Sequence, residues 1–169
     1  MGGGGVKELT QVRDAVISAL QSAGLTALAA FPAERAKTYE TAVAAVAVGT
    51  VQGRAMGFCN YLGEVRSEDG GETKELYGKQ LEGVITVDVR GRRASDCEAG
   101  CETAAEALLG KLPSGIRPGE LCWETLAWER ETGMFLRRGR LQCRACFLAE
   151  GREDGVEFLD FILKGVMTN

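Results

Sequence analysis

The sequence predicts an α+β domain, a mainly antiparallel sheet with two helices packed on it, and three patterns carry that expectation. Leu81, Gly83, Ile85, Val87 and Val89 alternate with Glu82, Val84, Thr86, Asp88 and Arg90, the period of a strand with one buried face. Past Gly91, Arg92 and Arg93 the period changes, and Ala104, Ala105, Leu108, Leu109 and Leu112 recur at three- and four-residue spacing as on a helix. Two extended runs, 121–131 and 134–148, then flank Thr132-Gly133, a hairpin signal. A strand that needs a cover, followed at once by a helix with an apolar stripe, is the smallest two-layer unit.

Taken in order, residues 1–5 read as a flexible glycine tail and 6–169 as a single α+β domain. Leu9, Val12, Val16, Ile17 and Leu20 fit one face of a helix over 6–23, with Gly24 as its terminator. The apolar run 25–31 before Pro32 suggests a short extended strand. In 41–56 both parities are apolar, Val43, Ala45, Ala47, Gly49 and Val51 against Ala44, Val46, Val48 and Thr50. That suggests a central strand covered on two sides, or one with a side covered by a neighbouring subunit. Residues 57–78 hold Gly63, Gly70, Gly71 and the acidic Glu68-Asp69, and read as a long exposed loop serving as a contact arm.

The segment Ala94-Ser95-Asp96 offers capping side chains for the second helix, which Pro113 and Gly115 end. Along the second hairpin run Arg138, Arg140, Gln142 and Arg144 share one face, and Leu141, Cys143, Ala145 and Phe147 the other. Residues 151–155 read as a turn, and 156–166, with Phe158, Leu159, Phe161, Ile162 and Leu163, as a closing strand in preference to a short helix.

Composition narrows the chemistry. A chain of 169 residues with 45% apolar and 26% charged residues buries roughly 70% of its unfolded surface, so no metal or disulfide staple is needed. A net charge of −4 argues against general nucleic-acid affinity, which needs an excess of Lys and Arg. Histidine is absent, which removes the commonest general acid/base and transition-metal ligand together. The glycine-rich start has no hydrophobic leader segment, so the six cysteines read as reduced thiols in a cytosolic setting.

Several motifs invite chemistry, and each has a plainer reading. Cys97-x3-Cys101 with Cys143-x2-Cys146 has the count of a zinc site. On a strand, however, positions 143 and 146 point to opposite faces, so core or surface thiols are the stronger reading, and serine at both is expected to leave the fold nearly intact. Glu124, Glu129 and Glu131 fit cross-strand ion pairs better than acid/base work. No nucleophile elbow, P-loop or dinucleotide-binding glycine motif is present. Arg90, Arg92 and Arg93 end one strand and Arg137, Arg138, Arg140 and Arg144 lie on another. They read either as a basic surface for a partner's acidic face or for passing DNA, or as a solvated face balanced by Glu. Trp123 and Trp128 have opposite parity, which predicts different sheet faces, so one of them, Trp128 in our reading, needs cover from a subunit neighbour.

Three stretches are similar to small tail proteins of Firmicutes prophages: Phe58-Cys59-Asn60-Tyr61-Leu62-Gly63-Glu64, Glu75-Leu76-Tyr77-Gly78-Lys79, and Phe158-Leu159-Asp160-Phe161-Ile162-Leu163-Lys164-Gly165. The whole chain from Val6 onward resembles tail terminator, or tail completion, proteins. The resemblance implies a small α+β subunit without catalytic residues, cofactor or metal. It implies assembly in the bacterial cytoplasm into a ring, often a hexamer, that caps the tail tube in the virion and joins it to head or neck proteins. Such a ring passes DNA without reading its sequence and has no membrane role. The interface residues expected on this reading are Arg90, Arg92, Arg93, Trp128, Arg138, Arg140 and Arg144. The alternatives are another neck or tail component, such as a head–tail adaptor or tube-like protein, and, further off, a small thiol- or metal-dependent enzyme.

Overall fold

A computed structural model describes residues 4–55, 61–66, 73–151 and 161–165. The fold is α+β, with a mainly antiparallel eight-stranded sheet. Its elements are α1 (Gly4–Ser22), β1 (Thr26–Leu28), a 3-10 helix (Ala33–Thr38), β2 (Val43–Ala55), β3 (Tyr61–Arg66) and β4 (Thr73–Gly91). They continue with α2 (Ala94–Gly110), β5 (Ile116–Trp123), β6 (Ala127–Glu129), β7 (Met134–Gly151) and β8 (Ile162–Leu163). The strand order is β1-β2-β4-β7-β5; β3 continues the row of β2 along β4, and β6 and β8 add to β7. All pairings are antiparallel except β1 with β2.

The alternation that predicted β4 and β7 sets which face is the core. Leu81, Ile85, Val87 and Val89 line up with Leu141, Cys143, Ala145 and Phe147 on one face, all buried. Against them lie Val12, Val16 and Leu20 of α1 and Cys97, Cys101, Ala104 and Leu108 of α2. Gly24 turns the chain out of α1 with φ 93°, a conformation that favours glycine. Gly133 does the same between β6 and β7 with φ 68°.

Several expectations are corrected. Helix α1 begins at Gly4, so Gly4 and Gly5 belong to it and not to a tail. Helix α2 has no side-chain cap: Arg93 holds the N-cap position, and Ser95 and Asp96 sit inside the first turn. Its buried stripe is Cys97, Gly100, Cys101, Ala104, Ala107 and Leu108, while Leu109 is 52% exposed. The stripe misread from leucines is set by small residues, because α2 lies close enough to the sheet for Gly100 to meet Ala42 and Val89. Strand β2 is not central. Only Val43, Ala44 and Ala45 pair with β1, and beyond them Ala47, Gly49, Thr50, Gln52 and Gly53 are exposed.

The predicted loop over 57–78 is largely a hairpin. β3 pairs with the start of β4, from Tyr61–Tyr77 to Arg66–Thr73, and β7 runs beside it to Gly151. Residues 57–60 and 67–72, and the turn and strand expected over 152–160, lie outside the described residues. Of the closing strand expected over 156–166, only Ile162 and Leu163 among the described residues are strand, and Lys164 and Gly165 already form a turn, Gly165 with φ 88°. Gln11 fastens that strand to α1, donating to the Phe161 carbonyl and accepting from the Leu163 amide, each at 2.8 Å. Beside it Glu8, 3% exposed, meets the Lys79 ammonium at 2.7 Å, and Lys79 lies 5.0 Å from the Phe161 ring centre. The other oxygen of Glu8, Oε2, has no hydrogen-bond partner among the described residues.

Candidate functional site

Both helices lie on one face of the sheet, and the opposite face is open over most of its length. Strand register places its side chains in rows: Ala45, Asp88 and Arg138; Ala47, Thr86, Arg140 and Cys122; Val84 with Gln142; Gln52, Glu82, Arg144 and Arg117. The open face therefore carries an acidic column on β4 beside a basic column on β7. Arg144 pairs with Glu82 at 3.1 Å. Asp88 sits between Arg138 and Arg90, yet its pKa is raised, foremost by burial and further by the carboxylates of Glu124 and Glu129, against the lowering by the two guanidinium groups. Arg117 and Arg140 have no carboxylate partner among the described residues.

One end of this face is closed. Val43, Leu136 and Met134 are buried there, and Phe31 reaches across to lie 4.5 Å from the Arg90 guanidinium. Arg90 also grips Glu129 through two bonds, at 2.8 and 3.2 Å. Glu129 takes a further bond from Thr132 at 2.6 Å, and the Arg90 bonds foremost hold its carboxyl below the usual range.

The expected interface residues are thus only partly brought together. Arg138, Arg140 and Arg144 share the open face and are exposed. Arg90 belongs to that face but is committed to Glu129 and Phe31, so it is a structural pairing and not a free contact. Arg92 and Arg93 are exposed in the bend between β4 and α2, away from the column. Arg137 points to the other side and donates to the Glu124 carbonyl at 2.8 Å. Trp128 is 56% exposed, edge-on to Phe135 at 5.0 Å.

The two tryptophans lie on one sheet face, not on the two that their parity predicts. Trp123 faces Gly139 and Trp128 faces Phe135, both odd positions of β7 and hence the same sheet face. The break at residues 124–126, between β5 and β6, resets the alternation. Trp123 lies directly over Gly139, where a Cβ would fall 2.5 Å from the ring. Sequence reasoning also missed Arg117, since its place beside Arg144 depends on a register that no local pattern encodes.

The cysteines are placed as alternation requires. Cys143 is buried on the helix-covered face, with its thiol pushed up to about 11 by burial, and Cys146 is on the other side. Cys97 and Cys101 are neighbouring free thiols on the buried side of α2, and Cys97 donates to the Val89 carbonyl at 3.3 Å. Their proximity lowers the pKa of Cys97 and raises that of Cys101, but both thiols are buried, and a reactive thiol needs access. Among the described residues no three His, Cys, Asp or Glu side chains gather where a metal ion would sit. Among them, too, no helix is long and apolar enough to cross a membrane.

Two hollows follow the arginine column. A trough of about 560 Å³ is lined by Thr50, Gln52, Glu82, Arg117, Gln142 and Arg144, and a smaller one of about 330 Å³ includes Asp88, Arg138 and Arg140. This arrangement suits recognition of a charged surface. The exposed thiol on this face, Cys122, donates to Glu120 Oε1 at 3.1 Å, and that bond raises its pKa, which works against a thiolate nucleophile. Compared with models of known protein families and with curated protein sequences, the chain matches none.

Proposed function

We infer that this chain is a structural, non-enzymatic subunit of a phage or prophage tail, of tail terminator type. It forms a ring, in our reading a hexamer, that caps the tail tube and joins it to head or neck proteins, with DNA passing through. The observation that carries the reading is the mismatch between the sheet and its cover. β4 and β7 run for 19 and 18 residues, about 60 Å at the ~3.3 Å rise of a strand. Helix α2, at 17 residues, is only about 25 Å long at 1.5 Å per residue.

Helix α1 shares that cover and reaches along β4 to Lys79 through Glu8, and β4 runs on from there to Thr73. A ring subunit has a use for such an extension, since it needs two complementary sides and an arm that reaches a neighbour. The stretch 75–79 behind the family resemblance lies in that arm, as does the described part of 58–64. The open face, with opposite charges in adjacent columns, supports matching to a neighbour by electrostatics more than by apolar burial.

The test is solution mass over a concentration series by light scattering on a sizing column. The expected result is a single closed species of six times the 18.1 kDa chain. A monomer at every concentration that binds zinc or carries a rapidly alkylated thiol would move the function to the thiol or metal alternative.

A further inference from the structure

We propose that the arginine-lined trough on the open face receives the acidic tip of the β3–β4 arm from a second copy of the chain. The proposal rests on the ring-subunit reading in taking another copy as the occupant; the contact itself is argued from the trough and the tip.

The trough is built by two bulges at one level of the sheet. β2 slips register between Val48 and Val51, opposite Val84, and β5 slips between Pro118 and Leu121, opposite Gln142. Val84 and Gln142 are themselves register partners, so the bulges bracket the central pair. A bulge bends its strand and increases local twist. Each bulge also contains a glycine: a Cβ on Gly49 would lie 3.2 Å from the Val84 oxygen, and one on Gly119 3.1 Å from the Gln142 oxygen. Gly119 lines the hollow without a side chain, and Thr50 of the other bulge lines it with a short one.

Its polar rim is uneven. Arg117 and Arg144 are neighbours across β5 and β7, and Glu82 answers only one of them. The trough therefore has a guanidinium to spare, next to amide and hydroxyl groups of Gln52, Gln142 and Thr50 that take a carboxylate's remaining lone pairs.

The same chain offers the matching charge. Residues 67–72 join β3 to β4 and read Ser-Glu-Asp-Gly-Gly-Glu, three carboxylates in six residues. The chain cannot fill its own trough with them. From Val84 to Thr73 the extended β4 runs about 35 Å, at ~3.3 Å per residue, so the strand end to which residues 67–72 are joined is that far from the trough. A second copy presents it without that constraint. Tip into trough is a heterologous contact, the kind that closes a ring when the rotation allows. A nucleic-acid backbone fits less well, because Glu82, Asp88, Glu120 and Glu124 interrupt the positive field on this face and the chain is acidic overall.

The experiment uses the full chain in three forms: unaltered, trough-reversed (Arg117→Glu with Arg144→Glu), and tip-reversed (Glu68→Arg with Asp69→Arg). Assembly is followed by light scattering at low and high salt. A labelled peptide of residues 64–75 and a short DNA duplex are titrated into each form by fluorescence anisotropy. Each reversed form is expected to lose assembly, and an equimolar mixture of the two to regain it, since every tip then meets a trough of opposite charge. The peptide is expected to bind the unaltered chain at least tenfold more tightly than the trough-reversed form, and to weaken as salt shortens the Debye length. The rescue also shows that both variants fold.

Outcomes separate this contact from the ring reading. Assembly of the unaltered chain that neither reversal weakens overturns the contact and leaves the ring. A chain that never assembles, yet binds the peptide through Arg117 and Arg144, supports the contact and overturns the ring. Duplex binding through the trough without peptide binding overturns the proposed occupant, and no assembly with no peptide binding overturns both.

Discussion

Gly100 and Gly110 lie on the same helix, and alanine at the two positions is expected to change stability in opposite directions. Helix propensity favours alanine over glycine by up to about 1 kcal/mol in a helix interior and less at an end. At Gly110 the added methyl meets nothing within 4 Å, so Gly110→Ala should gain a few tenths of a kcal/mol. At Gly100 the same methyl would lie 2.6 Å from the Ala42 Cβ and 3.0 Å from a Val89 methyl, where apolar carbons prefer about 3.5–4.0 Å.

Relief requires α2 to move off the sheet by roughly an ångström. That shift loosens Cys97, Cys101, Ala104 and Leu108 as well, all buried in the same contact. Overpacking of this kind costs about 1–3 kcal/mol, which exceeds the propensity gain, so Gly100→Ala should destabilise by about 1–2 kcal/mol net. Urea unfolding at constant m-value measures both variants. Gly100→Ala as stable as the unaltered chain would refute the claim that small residues set the helix–sheet spacing.

Lys79→Ala leaves the buried Glu8 carboxylate without its cation and should cost about 3 kcal/mol, with Glu8→Gln/Lys79→Met recovering much of it in the same unfolding assay. The paired cysteines should separate: Cys143→Ser puts a hydroxyl into the core and costs about 1–3 kcal/mol, whereas Cys146→Ser should stay within about 0.5 kcal/mol, which amends the expectation of two harmless changes. Acid should act through two carboxylates with opposite signs. Glu129 is depressed in the fold, so its contribution is present above its ordinary value of 4.5 and fades as pH falls through the lower folded value; Glu129→Gln should abolish that part of the acid sensitivity. Asp88 is raised, so it opposes folding once pH exceeds the folded value and not below its ordinary 3.8; Asp88→Asn should stabilise at pH 7 and make no difference at pH 3, read from thermal unfolding at the two pH values.

What the sequence alone determined was whatever depends on neighbours within a few residues. The alternation of β4 and β7, the stripe of α1, the turn at Gly133 and the sorting of Arg138, Arg140 and Arg144 from Leu141, Cys143 and Ala145 were all legible, because side-chain direction follows local backbone period. The fold class followed from those elements, and so did half of the candidate surface.

Tertiary structure decided the rest. The bulges at Gly49–Thr50 and Gly119–Glu120, the reset between β5 and β6 that turns both tryptophans to one face, and the placement of Arg117 beside Arg144 depend on inter-strand register. So do the commitment of Arg90 to Glu129 and Phe31 and the hold of Gln11 on β8, which join residues far apart in the chain. Register is fixed by the total fit of many paired residues across strands, and no short window of sequence contains it.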